Sequence, residues 1–153
     1  MSIKVAARAI IIDNGEILLV KHRGSSFYAL PGGKRDPGES LRATLVRELE
    51  EEFGVSGAIV GEVMCINEFE YDGKADGYSL ELFFRIANPE IFRDCTVGSH
   101  TEAELADVCW VKDISSLSLQ PAQFVPLYQE IQQGIPVVGR YLTQIGTGID
   151  KNS

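Results

Sequence analysis

Ser40 and Gly54 bracket the stretch that most constrains what this chain can fold into. A serine oxygen suits a helix N-cap, and a glycine just past the last turn suits a helix stop. Between them Leu45, Val46, Leu49 and Phe53 recur with helical period, which predicts an amphipathic helix running to about Phe53. Beside that apolar face stand Glu48, Glu51 and Glu52, within an arc of roughly 100°, while Glu50 points the opposite way. Carboxylates crowded at a helix C-terminus repel one another and oppose the helix dipole. A hard divalent cation reverses both penalties, because Mg²⁺ prefers oxygen ligands and is typically held by few carboxylates plus substrate phosphates. The plainer reading is a solvated acidic helix end.

The spacing upstream decides between them. The segment runs Gly33, five residues, Glu39, seven residues, Arg47-Glu48-Leu49, one residue, Glu51-Glu52, one residue, Gly54-Val55. It resembles the signature of the Nudix hydrolase family at every defining position. The resemblance covers 23 of 153 residues, so it speaks to chemistry more than to substrate. Asp36 stands where many relatives have Glu, outside the required letters. The fold implied is an α/β/α sandwich with a mixed central sheet, the box forming a loop-helix-loop at the site.

The activity implied is hydrolysis of a diphosphate linkage in a nucleotide derivative, with Mg²⁺ as cofactor and Mn²⁺ as a substitute. Attack on a phosphorus ringed by charged oxygens needs charge neutralisation and a positioned water. The resemblance makes Glu48, Glu51, Glu52 and the Gly32 carbonyl the metal ligands, with Glu48 or Glu52 as proton acceptor. Some family members recruit a base from a distant loop, and Glu104, in His100-Thr101-Glu102-Ala103-Glu104, occupies a fitting position. By the same analogy Glu39 and Arg47 form a structural brace across loop and helix; a surface salt bridge is the alternative. Arg23, at a position where the family often carries a basic residue, and Lys34, after the glycine pair, are the candidate substrate-binding cations for phosphate oxygens not held by metal; solvated surface charge is the alternative. Phe27 and Tyr28 read as loop packing or, alternatively, as a platform for a nucleobase.

Charge narrows the partners. With 14 Lys and Arg against 22 Asp and Glu, the formal charge is -8. No basic surplus is left for extended nucleic acid, though a small phosphate ligand needs only a local pocket. Cys65, Cys95 and Cys109 lack zinc-type spacing and read as reduced thiols, and no apolar run approaches membrane-spanning length. No signal peptide is visible, so cytoplasm is the expectation. Homodimers are common in the family, so a homodimer is one assembly the resemblance implies.

The chain reads as a single domain over residues 1–153 with a loose tail at 146–153. Val5–Ile12 and Glu16–His22 read as a hairpin about Asn14-Gly15, residues 24–39 as loop, and Ala58–Phe69 and Ser79–Ala87 as strands. Val108–Val111 is a further short strand. Pro121 is expected to open a second helix to about Gln133, with Phe124, Leu127, Tyr128 and Ile131 as its stripe. Tyr71, sixteen positions past Val55, lies roughly where dinucleoside-polyphosphate hydrolases carry Tyr and ADP-ribose hydrolases carry Pro, which tilts against ADP-ribose. Two other classes stay open: a catalytically silent nucleotide-sensing module, and an acidic cation-binding protein without chemistry.

Overall fold

A computed structural model describes residues 3–70, 77–95 and 105–145. The chain starts with β1 (Lys4–Ile10) and β2 (Ile12–Asp13), turns at Asn14 and Gly15, and returns as β3 (Glu16–His22). Both turn residues have positive φ, 51° and 75°, the backbone a tight two-residue hairpin needs. Only the inner end of the expected hairpin pairs, Ile12 with Ile17 and Asp13 with Glu16. β1 departs to another sheet instead. Its Ala7 and Ala9 are buried on one face and its Ala6 and Ile10 on the other, which suits a strand inside a layered structure rather than a free hairpin arm.

The segment expected to be loop carries two short strands, β4 (Tyr28–Ala29) and β5 (Gly32–Lys34). Then come α1 (Leu41–Phe53), β6 (Val60–Glu70), β7 (Tyr78–Ile86), β8 (Leu105–Val111), β9 (Leu119–Gln120), α2 (Phe124–Gln132) and β10 (Arg140–Gln144). The first sheet is mixed, in the order β10-β6-β7-β1-β5; the second runs β2-β3-β4-β9, with β8 paired to β3. The expected α/β sandwich is present, with its β-structure split into two sheets.

Two cores follow from that split. Ile10 and Phe83 of the first sheet, Ile17 and Leu19 of the second, and Phe124, Leu127 and Tyr128 of α2 pack together. On the opposite face of the first sheet, α1 lays Leu45 and Leu49 on Ala7, Ala9 and Phe84. Both leucines are 0% exposed, and such burial stabilises by about 1.5–3 kcal/mol per side chain. Val46 does not join them. It lines an outer groove with Ala43, Ala58 and Val60, while Thr44 takes a buried place.

Local signals set the helix ends. The Ser40 hydroxyl accepts the Ala43 N–H at 3.0 Å, and the Gly54 N–H reaches the Glu50 carbonyl at 2.8 Å. The second helix begins at Phe124 rather than Pro121, after a turn in which the Phe124 N–H bonds the Pro121 carbonyl at 3.0 Å. Its expected stripe packs as read, with Ile131 partly buried against the core. Among the described residues, no helix is long and apolar enough to cross a membrane.

Candidate active site

β5 is the hinge of the site, because its two glycines let the backbone lie between β1 and α1. Gly32 has φ +139°, and a Cβ there would meet the Ala7 carbonyl oxygen at 2.0 Å. A Cβ on Gly33 would meet the Glu48 carboxyl carbon at 2.3 Å and its oxygens at 2.4 and 2.6 Å. The Glu48 carboxylate thus rests in space only glycine leaves open.

The three carboxylates of α1 sit in three environments. Glu52 is 3% exposed and accepts the Gly32 N–H at 3.4 Å through Oε1. Glu48 is half-buried, and burial pushes its carboxyl up; Arg47 pulls it down and Glu51 adds to the rise. Glu51 is exposed and meets Arg47 through both oxygens at 3.3 Å. Helical spacing alone predicted one arc; the packing of β5 against α1 adds this gradient from solvent to interior.

Arg47 holds the arrangement together. Its Nε and Nη2 donate to Glu39 Oε2 and Oε1 at 2.7 and 3.0 Å, a two-point contact of the kind a guanidinium favours. Its Nη1 donates to Glu48 at 3.0 Å, its Nη2 also reaches the Lys34 carbonyl at 3.1 Å, and Asp36 stands 3.3 Å away. Glu39 also accepts the Asp36 N–H at 2.9 Å and the Thr44 hydroxyl at 3.1 Å. Its carboxyl is held down at about 2, chiefly by the Arg47 hydrogen bond and then by the Asp36 amide.

Of the remaining expected residues, Lys34 is exposed at the end of β5 and Arg23 stands in the exposed turn after β3. Tyr28 packs on the core, its hydroxyl donating to Asp107 at 2.6 Å, with the Lys21 ammonium 5.8 Å from its ring. That is the packing role. Trp110 lies under the Arg93 guanidinium at 4.5 Å. Glu102, Glu104 and Tyr71, like the tail at 146–153, lie outside the described residues.

Sequence reasoning missed Arg8 and Glu81. Arg8 Nε donates to Glu81 Oε2 at 2.8 Å, and Glu81 Oε1 accepts from the buried Asn67 amide at 3.3 Å. Burial works against the Arg8 charge, but Glu81 and then Glu52 and Glu48 more than offset it, leaving its pKa raised. The signal was present: a charged side chain on the same alternating face of β1 as Ile10.

The donor set suits a hard cation in kind, being all oxygen. Gly33 gives Glu48 room against the backbone, and Glu52 reaches the same strand. Among the described residues, however, no three acidic or His/Cys side chains form a ready-made cage. Arg47 lies between Glu48 and Glu51. A cation held between Glu48 and Glu51 would displace their Arg47 contacts.

Comparison with known proteins agrees with the geometry. The model of the NUDIX domain matches residues 3–131. The CTP pyrophosphohydrolase of Escherichia coli (strain K12) is 42% identical over 70 residues, 43% of this chain and 51% of that protein. The 8-oxo-dGTP diphosphatase of Haemophilus influenzae is 37% identical over 90 residues, 56% of this chain and 62% of that protein. The chain thus spans less than two thirds of the length of either relative. The solution structure of the E. coli ORF135 protein superposes with a TM-score of 0.62 at 27% identity, covering 87% of this chain and 91% of that one. A motif at residues 33–55, a fold that brings its parts together and a match over residues 3–131 agree: the chain belongs to the NUDIX family.

Proposed function

We propose that the chain is a pyrophosphohydrolase that cleaves a diphosphate linkage in a nucleotide derivative, with Mg²⁺ as cofactor and Mn²⁺ as a substitute. The observation carrying this reading is the junction of β5 and α1, where Glu48 rests against Gly33, Glu52 accepts the Gly32 N–H, and Arg47 links Glu48 to the exposed Glu51. The relatives named for CTP and 8-oxo-dGTP hydrolysis support a nucleotide as substrate.

Glu48, Glu51, Glu52 and the Gly32 carbonyl would hold the cation. When bound, it neutralises phosphoryl oxygens and lowers the pKa of a coordinated water. The protein's own part is positioning and proton transfer. Glu48, whose burial raises its affinity for a proton, would accept one from the attacking water. Glu52 and Glu104 are the other two groups proposed for that step. Glu39 orients Arg47 through its two-point contact, and Arg47 in turn holds Glu48 and Glu51 until the ion takes its place. Lys34 and Arg23 supply positive charge to phosphate oxygens. We read residues 1–153 as one domain acting in the cytoplasm, where three unpaired thiols stay reduced.

Chromatography of the nucleotide products formed from CTP, 8-oxo-dGTP, a dinucleoside polyphosphate and ADP-ribose, each with and without Mg²⁺, tests the reading. Turnover that requires the metal and falls in Glu51→Gln and Glu52→Gln supports it. Nucleotide binding without turnover favours a sensing module; metal binding without nucleotide affinity favours a cation-binding protein.

A further inference from the structure

The face of the first sheet opposite α1 changes character along β1. Ile10 and Phe83 are core, but Arg8, Ala6 and Lys4 continue the same face toward the start of the strand. Lys34 lies opposite Ala6 on β5, and Ser79 and Glu81 lie beside Lys4 and Ala6 on β7. Together with Phe69 and Leu80 they line a cavity of about 110 Å³.

Three cations and one carboxylate give the lining a net charge of +2, in a chain of formal charge -8. Glu81 is already engaged by Arg8 and Asn67. Lys4 and Lys34 form no ion pair among the described residues. Two ammonium groups without an ion pair among the described residues, beside a guanidinium, are an arrangement that phosphate oxygens satisfy. Size narrows the ligand further. A pocket enclosing a whole small-molecule ligand runs from about 300 Å³ upward, whereas a water takes about 30 Å³. The cavity suits one compact group of phosphate size rather than a buried nucleoside. It is also tied to the acidic site, because β5 presents Lys34 to the cavity while Gly33 meets Glu48 on the other face.

We propose that this cavity binds a phosphomonoester carried by the substrate beyond the cleaved diphosphate linkage, so that the protein prefers nucleotide derivatives bearing such an extra phosphate. This rests on the hydrolase reading above and adds the substrate class. Two measurements keep the readings apart. The first compares kcat/KM for a ribonucleoside 5′-triphosphate with and without a 3′-phosphate. The 3′-phosphorylated member should be favoured about tenfold, as charge-assisted contacts imply, and Lys4→Gln, which leaves Lys34 in place, should bring the ratio near one. Equal kcat/KM for the pair in the unaltered protein overturns the inference. The second is an NMR titration with inorganic phosphate in the absence of divalent metal. Shifts confined to residues 4–8, 32–34 and 78–81, abolished in Lys4→Gln, support the subsite even if no diphosphate is hydrolysed. Shifts elsewhere, or shifts that persist in Lys4→Gln, overturn it even if hydrolysis is robust.

Discussion

Gly33→Ala separates catalysis from folding more cleanly than removing a carboxylate. The new Cβ would lie 2.3 Å from the Glu48 carboxyl carbon, against an ordinary carbon contact of about 3.5 Å. The carboxylate must therefore retreat by about 1.2 Å. Gly33 itself lies outside the left-handed region, so alanine adds no backbone strain there. What yields is the far end of a flexible side chain, together with its 3.0 Å hydrogen bond to Arg47. That pair is partly exposed, so its loss costs about 1 kcal/mol, or roughly 2–4 °C in Tm for a chain of this size. Misplacing a catalytic group by about 1 Å costs about 100-fold in rate. The expected phenotype is a nearly normal melting curve with kcat/KM on the best nucleotide down about 100-fold. Gly32→Ala is the contrasting variant. There the Cβ would strike the Ala7 carbonyl oxygen at 2.0 Å with φ at +139°, so backbone must move and stability should fall by about 3 kcal/mol. Wild-type kcat/KM in Gly33→Ala would refute the placement of Glu48 at the reacting centre.

Arg47→Lys keeps a positive charge but loses the fork that meets Glu39 at two points. Its Tm should drop more than that of Arg85→Gln, which breaks an exposed pair with Glu62, and its kcat should fall while Arg85→Gln keeps normal turnover. Glu39 predicts the acid limb of stability. Its folded pKa of about 2 lies below the ordinary 4.5, so its contribution is complete above pH 4.5 and is lost as pH falls toward 2. Urea midpoints across that window should decline, and Glu39→Gln should flatten the decline. Burial pushes the Cys65 thiol up to about 12, with Glu81 adding to the rise, so an aromatic disulfide reagent at pH 8 should label it only after unfolding.

The box helix was legible because its signals are local. Ser40 and Gly54 each act within four residues, and Leu45 and Leu49 repeat on the helix's own period. The crossing between sheets was not. Val5–Ile12 reads as one apolar strand, and nothing within it shows that β1 pairs parallel to β7, with Ala6 beside Glu81. β10 escaped notice for the same reason: a short edge strand pairing parallel to β6, its Gln144 meeting Asn67 at 2.9 Å across 77 positions. Glycines misled once. Gly32-Gly33 reads as a turn, yet it forms a strand because the close approach of β1 and Glu48 excludes side chains. Within the site, spacing named the carboxylates but not their burial. That depends on β5 lying over Glu52 and Glu48, a contact between separate elements.

Uptake of a divalent cation by the α1 carboxylates underlies the proposed hydrolysis, and Mn²⁺ bound to the protein reports on it directly by electron paramagnetic resonance. Titrating Mn²⁺ with a non-hydrolysable nucleotide present should show a bound signal in the unaltered protein, weakened at least about tenfold in Glu52→Gln as one charged ligand is lost. Equal Mn²⁺ affinity in the two proteins would contradict it.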